Sequence, residues 1–97
     1  MDNDRRYVRD EDFVYRRIVD EVLLLPIRHN FGDLQSIFTL NEVGACIWEL
    51  LDGSRTLRNI RDVIASEFDV TADVATADLE EFVARLEDVG AVHPVAA

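Results

Sequence analysis

The chain has 97 residues, 48% hydrophobic and 31% charged, with a formal net charge of -10. That length and balance describe one soluble domain with a modest core. They exclude a membrane span, because no apolar run approaches the roughly 20 residues one needs. A lone cysteine, Cys46, forms no internal disulfide, and Met1-Asp2-Asn3-Asp4-Arg5-Arg6 has no apolar signal core. Cytoplasmic residence is the expectation. Between Asp62 and Asp88 lie nine acidic residues and one basic residue, Arg85. Such a potential repels phosphate backbones, so no nucleic-acid partner is expected.

Residues 1–10 are polar and charged and read as a flexible arm, with Tyr7 and Val8 able to dock on the body. The domain proper is placed at 11–93. Asp12 to Ile18 is aromatic and β-branched, with Phe13, Tyr15 and Arg17 on one face, and reads as a strand. Val19-Asp20 is a tight turn. Glu21 to Ile27 is a second strand whose apolar run fits burial on both faces, with Pro26 at its end. Arg28 to Leu34 carries turn chemistry. Gln35 to Leu40 alternates again and makes a third strand.

Leu40 to Gly53 changes period. Asn41 is a helix N-cap, and Val43, Ile47, Leu50 and Leu51 recur at helical spacing. Gly53 stands where a left-handed cap residue belongs. Ile47, Trp48 and Leu51 are expected to anchor sheet to helices. A second helix follows the cap Thr56, with Leu57, Ile60, Val63, Ile64 and Phe68 in one stripe and Arg55, Arg58 and Arg61 off it. A third starts near Asp73, buries Leu79, Phe82, Val83, Leu86 and Val89, and stops at Gly90. Ala91 to Val95 reads as an extended end. The order gives an α+β, winged-helix-like domain in which a three-stranded antiparallel sheet is followed by a three-helix bundle.

Catalytic chemistry is not legible. His29 and His93 are far apart in sequence and lack the companions of a zinc site. Cys46 sits between Ala45 and Ile47 and reads as core packing rather than as a nucleophile. The carboxylates fall between apolar stripe positions, the pattern of solvated helix faces. The expectation is a protein that is not an enzyme, with no cofactor and no metal. Two features exceed what the fold requires. If the second strand is central, Gln35–Leu40 is an edge with neither charge nor proline to protect it. An added peptide strand is one way to cover such an edge; the arm, a loop or a homodimer partner is another. The acidic third helix is either a solvated face or a negative rim that attracts a basic segment of a partner.

The run Phe38-Thr39-Leu40-Asn41-Glu42-Val43-Gly44-Ala45-Cys46-Ile47-Trp48-Glu49-Leu50-Leu51-Asp52-Gly53, with Phe82-Val83, Leu86 and Gly90-Ala91-Val92 after it, resembles the PqqD-like proteins. These are the peptide-recognition elements of pathways that modify ribosomally made peptides, including pyrroloquinoline-quinone (PQQ) and lasso-peptide pathways. The resemblance covers roughly Asp12 to Val92. It implies capture of a precursor peptide's leader as an added strand along strand three, and delivery to a modifying enzyme, often a radical S-adenosylmethionine enzyme. It places the peptide contacts at Gln35, Ser36, Ile37, Phe38 and Thr39 on the strand, with Asp78, Glu81, Phe82 and Arg85 as the groove-side candidates on helix three. It makes Leu40–Gly53 mainly architectural. The competing reading, a winged-helix DNA-binding regulator, would rest on Arg55, Arg58 and Arg61.

Overall fold

The described residues form nine elements. The structure, a computed structural model, describes residues 4–19, 21–27 and 38–95. In order these are β1 (Arg6–Arg9), β2 (Phe13–Ile18), β3 (Glu21–Pro26), β4 (Phe38–Leu40), α1 (Glu42–Leu50), β5 (Asp52–Thr56), α2 (Leu57–Glu67), α3 (Ala72–Asp88) and β6 (Val92–Val95). The expected α+β architecture, a three-stranded antiparallel sheet with three helices, is present, and a second small sheet joins it.

The first sheet is ordered β2-β3-β4. Its register sets Tyr15 opposite Leu24 and Leu24 opposite Phe38, with Val22 opposite Leu40. Residues of one parity therefore share the core face: Val22, Leu24 and Leu40 are buried, and Phe13, Tyr15 and Phe38 pack against them. Leu23 and Leu25, on the other face, are half-buried. Across from the sheet lie Ile47, Trp48 and Leu51, then Leu57, Ile60 and Ile64 of α2 and Ala75, Leu79, Val83 and Leu86 of α3, all buried. The stripes read from the sequence are thus the faces that meet. No helix among the described residues is long and apolar enough to cross a membrane.

The helix starts follow their caps. Asn41 Oδ1 accepts the Gly44 amide at 2.8 Å, and Thr56 forms a reciprocal capping box with Asn59. Thr71 caps α3 by accepting from the Val74 amide. At the far end of α3, Gly90 takes φ +78. Its amide donates to Glu87 O at 3.1 Å and the Ala91 amide to Leu86 O at 2.8 Å, the paired bonds of a Schellman stop.

Two expectations are corrected. The arm drawn over residues 1–10 contains the central strand of the second sheet, ordered β5-β1-β6. Arg-Tyr-Val-Arg offers only two strand formers, too few to stand out by pattern, yet pairing on both sides fixes it. Tyr7 is 3% exposed, and its hydroxyl accepts from Arg5 at 2.9 Å and donates toward Glu87 at 3.5 Å. Burial is the main cause raising the Tyr7 pKa. Arg9 donates to the carbonyls of Trp48 and Glu49, each at 3.3 Å, where a cation complements the exposed carbonyl end of α1. Gly53 is not the cap of α1. That helix closes at Leu51, whose amide donates to Ile47 O at 3.1 Å. Gly53 instead lies in β5, where its φ of +86 falls in the stretch whose register against β1 is irregular. A bulge of this kind uses a glycine at positive φ. The same strand carries Arg55, which the sequence reading had grouped with α2.

Two outcomes test this account. Tyr7→Ala should cost about 3 kcal/mol in urea unfolding, as expected for an aromatic core residue and not for an arm. Asp52 Oδ1 accepts the Ser54 amide (2.9 Å), the Ser54 hydroxyl (3.0 Å) and the Arg55 amide (3.1 Å), and Arg55 also pairs with Oδ2. The Ser54 amide leads these in holding its carboxyl down at about 2. A lowered folded-state pKa stabilises above the unfolded value of ~3.9 and is lost as pH falls toward the folded one. Asp52→Asn should therefore flatten the fall in stability between those two values, measured by unfolding at a series of acidic pH values.

Candidate functional site

β4 is the last strand of its sheet, so among the described residues one side of its backbone has no sheet partner. Its end is set by Asn41, which turns the chain directly into α1. That turn lays α1 beneath the edge, and α3 passes opposite. The result is an open groove of about 510 Å³, within the ~300–1,000 Å³ range of ligand sites.

One wall is β4, with Phe38 half-buried and Thr39 exposed. The other is α3, where Asp78, Glu81, Phe82 and Arg85 stand at i, i+3, i+4 and i+7 and so share one face. The Arg85 guanidinium lies 5.9 Å from the centre of the Phe38 ring, a cation–π contact that spans the two walls. Of the residues expected to contact a peptide, the structure brings Phe38, Thr39, Asp78, Glu81, Phe82 and Arg85 around one groove. Gln35, Ser36 and Ile37 lie outside the described residues, as does His29.

The sequence reading missed part of the lining. Leu40, Asn41, Val43, Gly44 and Ile47 also border the groove, together with Glu21 of β3. The stretch Leu40–Gly53 was expected to be mainly architectural, yet its first half supplies one side of the cavity. The available signal was Asn41: a cap directly after a strand forces the first turn of the helix to sit against that strand's end. Glu21 had no such signal, because its nearness to Leu40 depends on the register that pairs Val22 with Leu40.

Outside the groove, the chemistry is quiet. Cys46 is half-buried, and burial first, then the charges of Glu67 and Glu49, push its thiol pKa up, the opposite of an activated nucleophile. The arginines that a DNA reading needs are engaged: Arg55 with Asp52, Arg58 with Asp4 at 2.8 Å, and Arg61 with Asp62 at 2.9 Å.

Among curated proteins nothing matches the chain. A solved structure of TbiB1 in complex with the TbiA(beta) leader peptide superposes with a TM-score of 0.72 at 29% identity, covering 93% of this chain and 99% of that one. The family described as coenzyme PQQ synthesis protein D (PqqD) matches residues 21–92, from the start of β3 to the start of β6. The chain belongs to the PqqD family.

Proposed function

We propose that this protein is a non-catalytic peptide carrier: it binds the leader of a ribosomally made precursor peptide and presents it to a modifying enzyme. The leader joins the sheet as a strand beside β4, and its side chains enter the groove between β4 and α3. The observation that carries this reading is the β4 edge, which has no sheet partner among the described residues and borders a groove, in a chain that superposes on TbiB1 in complex with a leader peptide. An edge offers main-chain donors and acceptors to any extended segment, and the groove adds selection through side chains. The modifying enzyme is taken to be a radical S-adenosylmethionine enzyme, in the biosynthesis of PQQ or of another modified peptide. Precursor peptides leave the ribosome in the cytoplasm, which is where such a carrier would act.

A synthetic leader peptide, taken from the short reading frame beside this gene, tests the reading by hydrogen exchange. Saturating peptide should slow exchange of the amides of residues 38–40 and leave β1, β5 and β6 unchanged. Protection confined to β1, β5 and β6 would sink the strand-addition reading. Phe82→Ala removes a half-buried ring from the groove wall and should weaken binding about tenfold or more, the usual cost of losing an aromatic anchor. Thermal unfolding of the variant separates lost binding from lost fold.

A further inference from the structure

Charge is distributed unevenly along the groove. Among the described residues three carboxylates border it: Glu21 beside the Leu40 end of β4, and Asp78 and Glu81 on α3. All three are exposed, and among the described residues none has an ion-pair partner. Among the described residues the one cation of the lining, Arg85, is turned onto the Phe38 ring. Asp78 lies seven residues from Arg85, about 10 Å along the helix axis. Asp78 and Glu81 are one turn apart on the same face, with Cβ atoms ~5–6 Å apart, so a single cationic head can reach both. The same lining includes the apolar side chains of Phe38, Leu40, Val43, Ile47 and Phe82. Unpaired carboxylates one helical turn apart repel one another and attract a cation.

We propose that this groove selects a basic-apolar segment. The occupant is an extended peptide whose Lys or Arg side chain meets Asp78 and Glu81, while a neighbouring apolar side chain packs on Phe38 and Phe82. The inference rests on the reading of the groove as a leader site and adds the chemistry of the residue that is read. Acidic segments are rejected by the same carboxylates, so the pair discriminates by repulsion as well as by attraction.

The test uses the full chain and a displayed library of random peptides of about 15 residues, ~50 Å when extended. Selected peptides are then bound individually by fluorescence anisotropy to the wild type, to Asp78→Asn/Glu81→Gln, and to Asp69→Asn/Asp88→Asn. This last variant changes net charge equally with exposed residues outside the groove. The expected result is enrichment of Lys or Arg at a fixed spacing from an apolar residue. Binding should weaken by about three- to tenfold in the groove variant, the scale of one or two solvent-exposed ion pairs, and stay unchanged in the control. Replacing the peptide's basic residue by Gln should weaken binding to the wild type by the same factor and have no effect on the groove variant. Selected peptides without a basic residue, or equal losses in the two variants, would overturn this inference while leaving the groove a peptide site. Failure to enrich any peptide, or enriched peptides indifferent to Phe82→Ala, would overturn the peptide-site reading as well.

Discussion

The hydrogen bond from the Gly44 amide to Asn41 Oδ1, 2.8 Å long, fixes the geometry on which the groove depends. Asn41 has extended backbone angles, φ -81 and ψ -178, so it ends a strand and starts a helix in one residue. A cap of this kind is worth only about 1 kcal/mol, less than the burial of Ile47, Trp48 or Leu51. Its effect is directional. Without a linking loop, α1 must leave β4 at once, and its first two turns, carrying Val43, Gly44 and Ile47, are laid against the end of the sheet. β4 thereby ends at Leu40, and its described residues face α3 across the groove.

The two sheets divide the labour. The sheet of β2, β3 and β4 contributes the core face and the open edge. The sheet of β5, β1 and β6 gathers both ends of the described chain onto the outside of the helices. Arg9 binds the carbonyl end of α1, the Tyr7 hydroxyl reaches Glu87 near the end of α3, and the Leu57 amide donates to Arg5 O at 2.9 Å. Each tie holds a helix end through residues that do not line the groove. Under the proposed role, such ties lower the ordering cost of binding.

What was legible in the sequence followed from how local its cause was. Asn41, Thr56 and Gly90 act within one turn of themselves, and each could be read from its neighbours. The stripe Leu57, Ile60 and Ile64 is equally local. β1 and β5 were not legible because their cause is distant. Arg-Tyr-Val-Arg and Asp-Gly-Ser-Arg-Thr have the composition of an arm and a turn, and they are strands only because each finds the other, with β6 completing the set. Gly53 shows both cases in one residue: its positive φ was readable, but the strand that uses it was not. The groove divides in the same way. Asp78, Glu81, Phe82 and Arg85 share a helix face by spacing alone, whereas Glu21 joins them only through the register of β3 on β4.

There is also a limit to what the backbone of a strand edge can contribute. Net hydrogen bonds are worth about 1 kcal/mol each, so three of them to an added strand sum to ~3 kcal/mol, weaker than a millimolar interaction. Under the proposed role, side chains must supply the rest, and the residues placed to do so are the apolar wall of Phe38, Val43, Ile47 and Phe82 and the carboxylates beside it. Main-chain bonds read no side chains, so selection depends on the groove, and Asn41 helps to shape it by starting α1 directly after Leu40.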